Sequence, residues 1–177
     1  MQRPRFLDSR RRLLKVGLFA GLGLALVGGG YAWLRTGRDE DVPVYDGRAR
    51  SLIAALAPAL LAGALPAAEA QRKEAMGSLL ETVGSAIAGL SPPQRKELGD
   101  LFALLNISAG RFIVAGVRSA WNEARVDEVE GFLRRWRGSR FELLQSAYAA
   151  VHDLVLGAWY ARPESWAAIG YPGPPRL

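Results

Sequence analysis

The sequence predicts an all-α protein, with an N-terminal helix of the signal or transmembrane type, a compact bundle of about five or six helices, and an aromatic C-terminal tail rich in proline and glycine. Three observations support this fold class. Apolar residues recur at helical spacing through most of the chain after residue 47. Strand-like alternation never extends beyond a few residues, and no internal repeat is visible. Capping patterns and prolines fall between the apolar segments.

Composition divides the chain into four segments. Residues 1–34 combine a basic start with a long uncharged run, and residues 35–47 form a polar linker that contains a proline. Residues 48–161 carry the helical pattern of a single domain. Residues 162–177 form a C-terminal tail that we expect to dock on a partner.

The basic start contains the run Ser9-Arg10-Arg11-Arg12-Leu13-Leu14-Lys15. It matches the twin-arginine export signal, Ser/Thr-Arg-Arg-x-Phe-Leu-Lys, except that leucine stands at the usual phenylalanine position. Adjacent guanidinium groups offer a translocase receptor two fixed, always-charged sets of donors. The alternative is the basic flank of a membrane helix, oriented by its positive charge. The residues predicted to be recognised by the translocase are Ser9, Arg10, Arg11, Leu13, Leu14 and Lys15.

Residues 16–34 form a 19-residue run without a charge. As a helix this run would rise about 28 Å, at about 1.5 Å per residue, which is close to the thickness of a bilayer's hydrocarbon core. Small residues at Gly28 and Gly30, or at Gly30 and Ala32, could occupy the −3 and −1 positions of a cleavage site. Cleaved and retained forms both stay open. We expect a periplasmic protein, anchored in the inner membrane if residues 16–34 are retained.

The formal charge of +6 is concentrated at the N-terminus. Residues 1–30 carry a net +5, whereas residues 31–177 carry 17 Lys/Arg against 16 Asp/Glu, a net +1. The exported part therefore lacks the strong basic field that nucleic-acid binding needs. A local cluster of arginines between residues 134 and 140 has acidic neighbours, which predicts an ion-paired helix face. The chain contains no cysteine, which excludes disulfides, covalently attached c-type haem, and iron–sulfur or zinc sites with cysteine ligands.

The first three predicted helices follow the linker. The first covers about residues 48–62 and contains Pro58, which should kink it or start a new turn. The second covers about residues 66–88, with Pro66 in its first turn. The third opens with Ser91-Pro92-Pro93-Gln94, a capping box with proline at the first helical position.

The remaining predicted helices lie after residue 110. A short helix covers about residues 111–121. The next begins with a cap formed by Asp127 and Glu130 and ends at Gly138. Ser139 with Glu142 should cap the longest helix, which reaches about Tyr160. The predicted core positions are Leu52, Leu56, Leu60, Met76, Leu79, Leu80, Val83, Ile87, Leu98, Leu101, Phe102, Leu105, Val129, Phe132, Leu133, Trp136, Phe141, Leu144, Tyr148, Val151, Val155 and Trp159.

Residues that could carry catalysis are scarce. The single histidine, His152, lies beside Asp153, and no second histidine, cysteine or paired carboxylate accompanies them. A lone histidine in a helix is most often a structural or surface residue. No phosphate loop or dinucleotide fingerprint is present. The sequence therefore argues against an independent enzyme, and we expect no cofactor in this chain.

The tail concentrates aromatic residues before a segment rich in proline and glycine. Proline and glycine at this density cannot continue a helix, and aromatic side chains on a stiff segment lose little entropy on binding. The tail could dock on a partner or fold back on its own helices, and both could hold. The predicted partner-binding residues are Trp159, Tyr160, Trp166, Ile169, Gly170, Tyr171 and Pro172.

The ending Trp166-Ala167-Ala168-Ile169-Gly170-Tyr171-Pro172-Gly173, together with the export signal and helical body, resembles the gluconate 2-dehydrogenase subunit 3 family. The resemblance covers about residues 48–173, although only the tail and the signal are specific, and this chain is shorter than the family pattern. It implies a non-catalytic small subunit that accompanies an FAD-dependent oxidoreductase of the glucose–methanol–choline class. In such complexes the small subunit carries the signal for the large subunit, and a cytochrome subunit can complete the assembly.

Three hypotheses follow from the sequence. The first is an escort and structural subunit of a periplasmic flavin dehydrogenase. The second is a stand-alone, membrane-anchored periplasmic binding protein made of helices. The third, which the sequence favours least, is a small enzyme that uses His152 and Asp153. No motif in the sequence indicates the substrate of a partner dehydrogenase, whether the signal is cleaved, or the stoichiometry of the complex.

Overall fold

The computed structural model describes residues 43–166 and 169–173, and this part of the chain is helical with no strand. The predicted all-α class is therefore confirmed for the described residues. The six α-helices are α1 (Gly47–Leu60), α2 (Glu69–Ala88), α3 (Pro92–Asn106), α4 (Ser108–Gly110), α5 (Val126–Arg137) and α6 (Glu142–Tyr160). A π turn, Arg111–Ala115, follows α4, and a 3₁₀ turn, Pro163–Ser165, follows α6.

Helix α1 is the central element of the fold. It packs against α2, α3, α5 and α6, and its residues Leu52, Ile53 and Leu56 are fully buried. The helix continues through Pro58 and ends shortly afterwards at Leu60. Because the proline lies in the last turn, only a backbone hydrogen bond near the end of the helix is lost.

The starts of α2 and α3 differ in how well the sequence predicts them. Helix α2 begins at Glu69 rather than at Pro66, and the Arg72 guanidinium donates to the carbonyl oxygens of Pro66 and Ala67, which precede the helix, at 3.0 and 2.8 Å. Helix α3 begins as predicted, and the Ser91 N–H donates to Gln94 Oε1 at 3.1 Å. This bond satisfies a donor that a helix N-terminus otherwise leaves free.

The predicted caps of α5 and α6 are wrong, although both helix ends are correct. Helix α5 begins at Val126, so Asp127 lies in its first turn, where a hydrogen bond from Arg125 lowers the pKa of its carboxyl group. Helix α6 begins at Glu142 after Phe141. The Ser139 hydroxyl accepts a bond from the Phe141 N–H instead of capping the helix.

The end of the predicted linker packs onto the domain. The Tyr45 hydroxyl donates to the Leu80 carbonyl oxygen at 3.0 Å, and burial raises the pKa of this hydroxyl to about 12. A Cβ atom at Gly84 would lie 3.0 Å from the Tyr45 ring, and one at Gly99 would lie 3.3 Å from Val44. Two helical glycines therefore make room for the two side chains that precede α1.

Residues 111–121, predicted as a helix, form the π turn and an irregular segment. The backbone bends by 83° between α3 and the segment Ser108–Ala115. Gly110 fits at this bend because the Leu104 carbonyl lies too close for a side chain. Gly116 then ends the π turn with a φ of +67°, which glycine adopts without strain.

Side chains of α5 bind the carbonyl groups of the π turn. The Trp136 indole N–H donates to the Val114 oxygen at 3.0 Å, and Arg135 Nη2 donates to the Ala115 oxygen at 2.6 Å. Trp136 also packs edge-on against Phe132, with ring centres 4.6 Å apart. The position of the π turn is therefore set by α5, which is distant in sequence.

The segment between the π turn and α5 is held at two points. The Trp121 indole N–H donates to the Leu105 carbonyl oxygen at 2.9 Å, near the end of α3. The Glu128 carboxylate accepts bonds from the Arg118 N–H at 2.8 Å and the Ser119 hydroxyl at 3.3 Å. This loop consequently has fixed contacts with two helices.

Candidate partner-binding site

The C-terminal turn, defined here as Trp166 and residues 169–173, folds back on the end of α6. The Trp166 indole N–H donates to the Tyr160 carbonyl oxygen at 2.7 Å, which satisfies one of the acceptors that a helix end leaves free. The Tyr171 N–H donates to the Trp166 carbonyl oxygen at 3.0 Å. The two rings meet nearly edge-on, with centres 5.3 Å apart and an angle of 74°.

Two glycines allow the turn to close. Gly170 and Gly173 have φ values of +67° and +98°, in the region that side-chain-bearing residues rarely adopt. A Cβ atom at Gly173 would lie 3.1 Å from the Trp166 ring. The Gly-Tyr-Pro-Gly pattern of the sequence therefore has a direct conformational role.

Arg162 joins the start of the tail to the helical body. Its Nη1 donates to the Ala75 carbonyl oxygen of α2 at 3.1 Å, and its guanidinium carbon lies 5.3 Å from the centre of the Trp159 ring. Its Nε lies 3.7 Å from the Glu164 carboxylate. Sequence reasoning missed this residue, since a single arginine after a helix end has no pattern that distinguishes it.

The predicted partner-binding residues differ in exposure. The described part of the tail folds back on the end of α6 through Trp166, and the C-terminal turn exposes two large apolar side chains. Trp159, which was predicted both as a core position and as a partner-binding residue, lies in the core, since only 5% of it is exposed and Arg162 lies over its ring. Tyr160 and Trp166 are half-buried. The exposed members of the set are Ile169 (54%), Gly170, Tyr171 (45%) and Pro172.

The exposed side of α6 carries few charges. Its exposed residues from position 145 onward are Gln145, Ser146, Ala149, Ala150, Asp153 and Gly157. Leu143, in the first turn of the helix, is 72% exposed. Depletion of charge is typical of the centres of protein–protein interfaces. The end of α6 adjoins the C-terminal turn through the bond between Trp166 and Tyr160.

The histidine–aspartate pair lies on α6. His152 Nδ1 and Asp153 Oδ1 are 2.9 Å apart, and their side chains are 34% and 79% exposed. The Tyr148 ring lies 5.4 Å from the imidazole, centre to centre. Among the described residues, no group of three or more His, Cys, Asp or Glu is placed to hold a metal ion.

The translocase-recognition residues at positions 9–15 (Ser9, Arg10, Arg11, Leu13, Leu14 and Lys15) lie outside the described residues, as do residues 16–34 and most of the linker. Within the described part, no single helix has both the length and the hydropathy to cross a bilayer, and α3 meets that criterion only together with the bent segment Ser108–Ala115. Comparison of the chain with protein-family models, with curated proteins and with solved structures finds no match.

Proposed function

We propose that this chain is a non-catalytic small subunit that escorts a periplasmic FAD-dependent dehydrogenase of the glucose–methanol–choline class through the twin-arginine translocase and stabilises it. The observation that carries the proposal is the C-terminal turn, which presents Ile169 and Tyr171 to solvent on a backbone already fixed by Trp166. A surface ordered before binding loses little conformational entropy when the partner arrives.

Two further observations support the partnership. The exposed side of α6, the helix whose end adjoins this turn, has the low charge expected of a protein contact from position 145 onward. The twin-arginine motif at residues 9–15 provides a route for a folded complex. The FAD would belong to the large subunit, a cytochrome subunit could complete the complex, and residues 16–34 could anchor it in the inner membrane.

The second candidate is a stand-alone, membrane-anchored periplasmic binding protein. The observation that favours it is the core around α1, whose apolar residues are buried by other residues of the described part of the chain. Co-purification from the native source, followed by a flavin absorbance spectrum, separates the two candidates. A stoichiometric flavoprotein supports the escort, whereas a chain that purifies alone supports the stand-alone protein.

The escort proposal is tested by Arg10→Lys together with Arg11→Lys. Lysine keeps the charge but lacks the planar set of guanidinium donors, so a receptor that reads guanidinium geometry should reject the variant. We expect both this chain and the dehydrogenase to stay in the cytoplasm. If the basic residues only orient a membrane helix through their positive charge, the lysine variant should leave the location of both proteins unchanged. The measurement is dehydrogenase activity in periplasmic and cytoplasmic fractions.

A companion variant with all three of Arg10, Arg11 and Arg12 changed to lysine controls for a shifted arginine pair. Loss of periplasmic activity with a full cytoplasmic pool of dehydrogenase supports the proposal. Should the dehydrogenase still reach the periplasm while this chain is retained, it travels independently and the escort function is wrong.

A further inference from the structure

The π turn exposes two adjacent large apolar side chains. Phe112 is 52% exposed and Ile113 is 66% exposed, whereas Ala115 in the same turn is fully buried. One side of the turn therefore belongs to the core, and the other presents an aromatic and an aliphatic side chain to solvent. Single exposed apolar residues are ordinary, but a neighbouring pair on one turn calls for an explanation.

The outward position of the pair is fixed by the fold. The carbonyl oxygens of Val114 and Ala115 are bound by the side chains of Trp136 and Arg135. Gly116 then leads the chain away in a left-handed conformation. Phe112 and Ile113 cannot turn into the core without breaking these bonds.

Three arginines lie in or beside the turn that carries the pair. The Arg118 guanidinium carbon lies 5.7 Å from the centre of the Phe112 ring, and Arg135 Nη2 reaches the Ala115 oxygen. Arg111 lies in the turn itself, and its Nε is buried without a hydrogen-bond partner. Glu128 is the acidic neighbour, and its oxygens bind the backbone of Arg118 and the hydroxyl of Ser119. No ion pair within the described part of the chain engages the three arginines.

We propose that Phe112 and Ile113 insert into the headgroup boundary of an anionic bilayer, with Arg111, Arg118 and Arg135 against the lipid phosphates. Arginine suits this position because its aliphatic stem lies along apolar groups while its guanidinium stays at the polar boundary. An apolar pair with a basic surround matches the charge and layering of such a surface. The proposal uses no residue of the C-terminal turn and does not depend on the escort function.

The absence of cysteine from the chain permits a specific test. Ile113→Cys in the full chain is labelled with an environment-sensitive fluorophore, and Leu143→Cys is the matched control because Leu143 is also apolar and 72% exposed. Both proteins are reconstituted into vesicles of phosphatidylglycerol and phosphatidylcholine, and into vesicles of phosphatidylcholine alone. In anionic vesicles only, we expect the emission of the label at position 113 to shift to the blue. Lipids that carry a nitroxide in the acyl chain should quench this emission. The label at position 143 should stay aqueous.

Adding Arg118→Ser to the labelled protein should lower the ratio of docked to undocked label about fivefold, the effect of one basic residue near an anionic surface. Lys73→Ser removes an equal charge from an exposed position on α2 and should leave the ratio unchanged. An aqueous label at position 113 in anionic vesicles overturns the proposal. The proposal is also overturned if the labels at positions 113 and 143 are shielded from water to the same degree. Shielding of the label at position 113 in the absence of vesicles would overturn it as well, and would assign this surface to a protein contact.

Discussion

The π turn and the C-terminal turn are two solutions to the same structural problem. Each follows a helix, exposes two large apolar side chains, and is joined to a helix by an indole N–H that donates to a backbone carbonyl oxygen. Trp136 bonds Val114 at 3.0 Å, and Trp166 bonds Tyr160 at 2.7 Å. The difference lies in burial, because Trp136 is 2% exposed within the core whereas Trp166 is half-buried. The π turn is consequently coupled to the whole fold, and the C-terminal turn is coupled mainly to the end of α6.

The two turns also differ in charge. Arg118 and Arg135 lie at the outer part of the π turn. At the C-terminal turn the nearby arginine, Arg162, has a side chain only 15% exposed and reaches inward to the Ala75 carbonyl. Large exposed apolar side chains therefore occur in two different electrostatic settings. The basic setting suits lipid phosphates, and the setting at the C-terminal turn, where Arg162 lies beside Glu164, suits a protein surface.

The largest expected effect tests the difference in burial. Trp136→Ala should lower the free energy of unfolding by about 3–5 kcal/mol, the usual cost of truncating a buried aromatic side chain. Trp166→Ala should cost about 1–2 kcal/mol, because it loses one hydrogen bond and one ring contact at a partly solvated site. Urea denaturation of the full chain, followed by far-UV circular dichroism, measures both. Equal losses would show that the two turns are coupled to the fold to the same degree.

The second prediction tests the difference in binding. Changing Ile169→Ser and Tyr171→Ala together should weaken binding to the proposed dehydrogenase partner about 30-fold or more, since interface anchors commonly contribute about 2 kcal/mol. The matched control is Ile113→Ser with Phe112→Ala, which removes a similar apolar pair from the π turn. This control should bind the dehydrogenase normally. Affinity is measured by titration of the purified subunits.

Two outcomes would contradict the second prediction. Unchanged affinity in a folded double variant of the C-terminal turn would restrict that turn to a structural role. An equal loss in both double variants would show that the dehydrogenase covers both turns.

The smallest effects concern the glycines that close the turns. Gly116 and Gly170 both have a φ of +67°, so alanine at either position should cost about 1–2 kcal/mol of unfolding free energy. A Cβ atom at Gly116 would also lie 2.6 Å from Arg135 Nη2, whereas nothing lies within 4 Å of one at Gly170. Gly116→Ala should therefore be the more destabilising change. Urea midpoints in the reverse order would mean that Arg135 moves aside without cost.

Much of the helical body could be predicted from local pattern. The apolar spacing identified Phe102, Leu105 and Phe132 as core residues, and all three are buried. The capping box at Ser91 and the stop at Gly138 were also correct. These features depend on neighbours within a turn or two of the chain, so the sequence alone contains the information needed to predict them.

The candidate site could be predicted only in part. The aromatic and glycine pattern located the C-terminal turn, but the exposure of each residue depended on where the tail meets the body. Trp159 was predicted both as a core position and as a partner-binding residue, and only the structure shows it in the core with Arg162 over its ring. The sequence did not identify Phe112 and Ile113 as exposed residues, because it predicted a regular helix over residues 111–121 where the structure has a π turn.

By itself, the sequence determined the all-α class of the described residues, the positions of most helices and the end of regular helix before the segment rich in proline and glycine. Only the tertiary structure decided which apolar residues remain in water. Helical periodicity specifies an inward side, but the π turn takes its geometry from Trp136 and Arg135. Contacts between residues about 20 positions apart in sequence satisfy backbone groups that a local pattern leaves open, and the partition between core and surface follows from them.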